Sequence, residues 1–268
     1  MRSDYDAFKI DQGVEGNSLT FTLMYIYNAQ NWQTTLPKVS TDKFHNLAFR
    51  LQMAYRQNFY HTQIHAADVT QNLYHVLFEC DLASMCGLND LEVMWVLLSG
   101  AAHDMDHPGN NNLWEQKTRS KLAILYNDQS VLENHHAASF FFLMDNSQHD
   151  CDIFSELTKD EKMEARKMIV ENILCTDMAK HGSIQSEMKA IAELPEADRK
   201  LDSDNKASVL KAVVHATDIG NPARKFGIAK QWARQVVKEF FDQGDRERAS
   251  GFEISMLCDR HSVNFANS

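Results

Sequence analysis

The run His103-Asp104-Met105-Asp106-His107 sets an imidazole beside a carboxylate, with a second imidazole four residues on. Imidazole nitrogen favours a borderline cation such as zinc, and carboxylate oxygen also suits a harder one such as magnesium. A helix through the run would bring His107 under His103, and Pro108-Gly109 then ends the segment. Two residues do not complete a coordination shell, so further ligands must come from elsewhere. Tyr60-His61-Thr62-Gln63-Ile64-His65 offers two imidazoles four apart, followed by Asp68, and His215-Ala216-Thr217-Asp218 offers another carboxylate. Taken singly, each of these is explained as well by a helix cap or a polar core position. As a set, His65, His103, Asp104 and Asp218 point to a metal site. The zinc-protease signature HExxH is not met, because the residue after His103 is Asp104 rather than Glu.

The elements that must position these groups read at helical period. Leu47, Leu51 and Tyr55 form one stripe of a helix predicted over 44–59, and Leu73, Val76, Leu77 and Leu82 repeat the pattern over 69–85. The apolar stretch 91–102 runs straight into His103, with Asn89 and Asp90 as caps. It contains Glu92 and is too short to span a bilayer, so a buried helix is expected. Thr158 and Glu161 form a capping box ahead of Met163, Met168, Ile169 and Ile173. Further amphipathic stretches cover 208–218 and 229–241. Alternating patterns are absent, and only 10 Gly and 4 Pro interrupt the 268 residues. The expected fold is all-α, one compact domain over 1–268, with the polar stretch 195–205 as a surface loop.

Composition narrows the function class. Apolar residues at 44% and charged residues at 24% suit a soluble globular protein. A formal charge of -10 argues against general nucleic-acid binding, which needs clustered Lys and Arg. It does not exclude a small anionic substrate, since a cleft can carry cations. Residues 1–13 are charged and lack the apolar core of a signal peptide. The five cysteines, Cys80, Cys86, Cys151, Cys175 and Cys258, form no CxxC pair, so reduced thiols in a cytoplasmic protein are expected.

A histidine followed directly by aspartate resembles the HD superfamily of metal-dependent phosphohydrolases. Within it, the chain resembles the class I cyclic-nucleotide phosphodiesterases. Their pattern of HD, two residues, His, four residues, Asn is matched by His103, Asp104, His107 and Asn112. Tyr60 to Val69 matches the Tyr-His-x-x-x-His-Ala-x-Asp-Val segment. Ala123 to Asp128, Ser130 to His136, Thr176-Asp177-Met178, Asn221-Pro222, Glu239 to Asp245 and Cys258 to His261 follow in family order. Thr118-Arg119-Ser120 and 123–136 look most like the calcium/calmodulin-regulated subfamily, whose calmodulin-binding segments would precede Met1.

The resemblance implies a compact multi-helix HD-type domain that opens a 3′,5′-cyclic nucleotide to its 5′-monophosphate. It implies Zn2+ held by His65, His103, Asp104 and Asp218, with Asp104 also reaching Mg2+ or Mn2+, and a hydroxide formed between them as the nucleophile. His61 would be the general acid. Glu133 and His107 would orient water or that acid, supported by Asn112, Thr176 and Asp177. Tyr60, Met178, Ile219, Asn221, Val236 and Phe240 would line the base pocket, although Val236 and Phe240 suit ordinary core packing equally. Asn221 before Pro222 leans toward cyclic AMP over cyclic GMP.

Two positions depart from many relatives: Thr62 stands for Asn, and Met256 for Pro in the loop near the pocket mouth. The family pattern continues after His261 into helices bearing a purine-binding Gln and a stacking Phe, expected beyond Ser268. The chain is thus expected to lack C-terminal helices and to bind nucleotide weakly or be inactive as given. Other readings are a different HD-type nucleotide phosphohydrolase, an inactive fragment binding metal only, or a non-enzymatic nucleotide-binding module.

Overall fold

A computed structural model describes residues 4–195, 201 and 203–263. Among them no strand occurs, and the expectation of an all-α fold holds. The first seven helices are α1 (Ala7–Gly13), α2 (Ser18–Ala29), α3 (Trp32–Thr35), α4 (Thr41–Met53), α5 (Gln63–Tyr74), α6 (Leu82–Met85) and α7 (Asp90–Ala102). The rest are α8 (Asn112–Lys117), α9 (Lys121–Leu125), α10 (Val131–Asp145), α11 (Lys159–Leu174), α12 (His181–Glu193), α13 (Ser203–Asp218) and α14 (Phe226–Ala249). Residues 196–200 and 202, within the loop expected at 195–205, lie outside the described residues.

Helix α7 is the axis of the domain. Asn89 closes its N-terminus: the side-chain oxygen accepts from Glu92 N–H at 3.0 Å, and Asn89 N–H donates to the Glu92 carboxylate at 2.9 Å. From Val93 to Ala102 every residue is buried, the mark of a helix covered on all sides. It packs against α5, α11 and α13. Leu73 and Val69 of α5 meet α7 at Gly100, where an added Cβ would stand 2.3 Å from Leu73 Cδ1. The missing side chain lets the two backbones approach, and that approach sets His65 opposite His103. Thr158 and Glu161 cap α11 in the same reciprocal way as Asn89 and Glu92.

Two expected elements are shorter than their periodicity suggested. The helix expected over 44–59 ends at Met53, and Tyr55 turns inward to donate to the Ala101 carbonyl at 2.8 Å. The one expected over 69–85 widens into a π turn at His75–Glu79 and breaks at Asp81, whose φ is 59°. Helix α7 stops at Ala102, and the chain turns through 103–106 with Asp106 at φ 59°. His107 therefore does not lie one helical turn under His103. Among the described residues no helix is long and apolar enough to cross a membrane. No cysteine is paired: Cys80 is exposed and the other four are buried.

Candidate active site

Four side chains from three parts of the chain converge at the C-terminal end of α7. His65 comes from the first turns of α5, His103 and Asp104 follow α7 directly, and Asp218 ends α13. His65 Nε2 lies 3.2 Å from His103 Nε2 and 2.9 Å from an Asp218 oxygen. His103 Nε2 lies 3.1 Å from the same oxygen and 3.0 Å from Asp104 Oδ2, which is 3.5 Å from His65 Nε2. Ligand atoms around tetrahedral zinc, with bonds of about 2.0–2.1 Å, sit roughly 3.3 Å apart, so this donor set fits such an ion. His103 Nδ1–H donates to the Gly100 carbonyl at 2.7 Å, which turns Nε2 toward the centre. Burial opposes charge on His103, yet Asp104 and Asp218 outweigh it and raise its pKa well above the ordinary value. The cluster favours positive charge at its centre.

Beside this cluster His61 pairs through Nδ1 with Glu239 of α14. The other Glu239 oxygen accepts from Tyr60 N–H at 2.7 Å and His61 N–H at 3.2 Å. Burial again opposes charge, but Asp104, Glu239 and Asp218 outweigh it and hold His61 up to about 9. His107 stacks on His61 and accepts from Gly109 N–H at 3.0 Å through Nδ1. Its pKa is pushed well below normal by burial and by His61. Asp106, the second aspartate of the run, pairs with Arg56 at 2.6 Å and His135 at 2.8 Å instead of entering the cluster.

Across the cavity, Glu133 of α10 is raised to about 7, chiefly by burial. Asn112 donates to both its oxygens, at 3.1 and 3.0 Å, while accepting from Leu132 N–H. Asp177 accepts from Ser130 and from Ala179 N–H. Thr176 spends its hydroxyl on the Ile173 carbonyl at 2.8 Å, closing α11. These polar groups face the cavity, Asn112 and Glu133 bonded to each other and Thr176 and Asp177 to neighbours in the wall.

The cavity has a volume of about 970 Å³ and takes in His61, Asp104, His107, Glu133 and Asp218 together with Tyr60, Met178, Ile219, Asn221, Val236 and Phe240. Val236 and Phe240 are half-buried in its wall rather than in the core. Met256 is exposed and is not among the lining residues. Asn221 is turned inward: its oxygen accepts from the Tyr60 hydroxyl at 2.5 Å, and its amide donates to Asp68 at 3.0 Å. Asp68 in turn pairs with Arg224 at 2.6 Å.

Four contributors were not assigned roles from sequence: Glu239, Trp232, His136 and the Asp68–Arg224 pair. Trp232 sits between Phe8, tilted against it at 4.3 Å, and the Tyr60 and His65 rings, which it meets edge-on at 5.7 and 5.8 Å. His136 lies 3.8 Å from Asp104 and donates to the Met105 carbonyl at 2.7 Å. Glu239, His136 and Asp68 had a signal, standing in the motif runs 239–245, 130–136 and 60–69, whereas Trp232 and Arg224 had none.

Comparison with known proteins agrees with this geometry. Residues 60–268 match the family described as 3'5'-cyclic nucleotide phosphodiesterase. A probable 3',5'-cyclic-AMP phosphodiesterase, pde-4, of Caenorhabditis elegans is 35% identical over 98% of this chain and 39% of its own length. A probable 3',5'-cyclic phosphodiesterase, pde-1, of the same organism is 38% identical over 98% of this chain and 38% of its own. The rat 3',5'-cyclic-AMP phosphodiesterase 4C is 36% identical over 98% and 49%. The structure of LmjPDEB1 in complex with IBMX superposes with a TM-score of 0.86 at 26% identity, covering 97% of this chain and 77% of that one. These relatives do not single out the calcium/calmodulin-regulated subfamily, and the chain spans only two fifths to a half of the curated ones. On the family match over 60–268 and these likenesses across 98% of the chain, the chain belongs to the 3',5'-cyclic nucleotide phosphodiesterase family.

Proposed function

We propose that this domain hydrolyses a 3′,5′-cyclic nucleotide to the 5′-monophosphate, with cyclic AMP the favoured substrate. The observation that carries the reading is the convergence of His65, His103, Asp104 and Asp218, of which Asp104 and Asp218 line a cavity that also holds His61. Those four would hold Zn2+, and Asp104 would also reach Mg2+ or Mn2+. Bound divalent cations supply charge that neutralises phosphate oxygens and lowers the pKa of water toward ~7. His61 is the proton donor: Glu239 occupies Nδ1, which leaves Nε2–H to protonate the departing 3′-oxygen. Glu239 also fixes the backbone of Tyr60 and His61, so the donor is held on two sides. Glu133 and His107 are proposed to orient water or the acid around the reacting phosphate, with Asn112, Thr176 and Asp177 supporting them.

Asn221 supports the preference for cyclic AMP. With one hydrogen given to Asp68 and one lone pair taken by Tyr60, the carboxamide keeps one N–H and one lone pair. An adenine edge offers the complementary donor and acceptor side by side. The relatives named for cyclic AMP point the same way. Phosphorus NMR of the product from cyclic AMP tests the reading: 5′-monophosphate is expected, with His61→Asn slowed by about a hundredfold or more. A 3′-monophosphate product, or full activity in His61→Asn, contradicts it.

A further inference from the structure

Asp68 and Arg224 face each other inside the domain with both side chains fully buried, Nη2 to Oδ1 at 2.6 Å. Asp68 stands one helical turn after His65 on α5, on the side of that helix that meets the Asn221–Ala223 turn. Its second oxygen accepts from Asn221 Nδ2 at 3.0 Å. The Arg224 guanidinium also lies over the Tyr5 ring, 5.3 Å from its centroid. Neither Asp68 nor Arg224 lines the cavity. Both sit behind it.

An ionised carboxylate can only accept, and although burial raises the Asp68 pKa, the guanidinium 2.6 Å away opposes that and favours the ionised form. Asn221 must therefore present its NH2 group to Asp68 and its oxygen to the Tyr60 hydroxyl, which donates at 2.5 Å. We infer that Asp68, held by Arg224, is a positioning residue that fixes the Asn221 carboxamide and the Tyr60 hydroxyl for recognition of the nucleotide base. This inference deepens the proposed function and rests on it. The same helix carries a metal-cluster residue and the anchor for the base-facing amide, so α5 sets the spacing between the phosphate and base ends of the site.

The test compares two substrates. Cyclic AMP has a base, whereas bis(p-nitrophenyl) phosphate is a diester without one. In Asp68→Asn the new amide can donate as well as accept, so Asn221 loses its fixed orientation. The KM for cyclic AMP then rises about tenfold or more, kcat holds within about twofold, and the kinetics of the base-free diester are unchanged. Arg224→Lys, which keeps the charge opposite Asp68, retains most of the wild-type KM. Equal losses on both substrates, or an unchanged KM for cyclic AMP, overturn the inference.

Asp68→Asn removes the negative charge facing Arg224 in the core and can unfold the domain. The paired substitution Asp68→Leu with Arg224→Met then serves, since it removes both buried charges together and predicts the same separation between the two substrates. If the wild-type protein hydrolyses neither substrate, the proposed function fails on its own account. Positioning is then read from the Asn221 side-chain amide pair in a nitrogen–proton NMR spectrum. That pair shifts and exchanges faster in Asp68→Asn or in the paired variant, and an unmoved pair overturns the inference.

Discussion

His61 and His107 lie face to face, ring centroids 3.8 Å apart with 16° between their planes, yet they hold protons in opposite ways. His61 is raised to about 9 and His107 is driven well below the usual histidine range. Two stacked imidazoles cannot both be charged at low cost, so the carboxylates decide which one is. Glu239 sits on His61, and the Gly109 N–H points at His107 Nδ1. The stack thus keeps one charged proton donor beside one neutral ring.

A pH profile tests this division. Loss of the His61 proton should lower kcat as pH rises toward about 9. Glu239→Gln removes one of the charges that raise His61, so the falling limb moves to lower pH. A limb that stays in place in Glu239→Gln contradicts the assignment of His61 as the acid.

Acid should weaken the fold through His136. Its folded pKa is lowered from 6.5 to about 4, chiefly by burial, so its contribution is complete above 6.5 and lost as pH falls toward 4. The linked stability is roughly 3 kcal/mol. Urea titrations between pH 7 and 4 should show this loss, and His136→Asn should flatten it. An unchanged pH slope in the variant contradicts it.

Gly100 predicts a link between helix packing and metal binding. In Gly100→Ala the new methyl meets Leu73 Cδ1, which must move, at a cost of about 1–3 kcal/mol. Separation of α5 from α7 also parts His65 from His103, so zinc affinity should fall with stability. Zinc titration by competition with a chromophoric chelator checks it, and unchanged affinity contradicts the coupling.

Gly244 marks where α14 touches the segment after it. An added Cβ would lie 1.9 Å from the Cys258 carbonyl oxygen, a backbone atom with little room to yield. Gly244→Ala should therefore lower stability by about 3 kcal/mol. Gly182, with nothing within 4 Å of an added Cβ, should accept Ala without loss. Calorimetry on both variants distinguishes a packing constraint from a general cost of substitution.

Much of this architecture was legible in the sequence because helices write themselves locally. The buried helix before His103, the Asn89 and Thr158 caps and the amphipathic α13 and α14 all follow from period and capping chemistry. His65, His103, Asp104 and Asp218 were legible as a set because their motifs stand together in family order. What the sequence hid were meetings across distance. Glu239 reaches His61 over 178 residues and Arg224 reaches Asp68 over 156. Neither residue carries a local pattern that names its partner. His107 was misplaced by assuming that the helix ran on, whereas the turn at Asp106 swings it onto His61.

The central claim is that one cluster binds metal and that His61 acts on the bound substrate. Metal content and cyclic AMP turnover, measured side by side for wild type, Asp218→Ala and His61→Ala, test it most directly. The account predicts that wild type holds zinc and forms 5′-AMP, Asp218→Ala loses both, and His61→Ala keeps the metal while turnover falls. Full metal content and undiminished turnover in Asp218→Ala would contradict it.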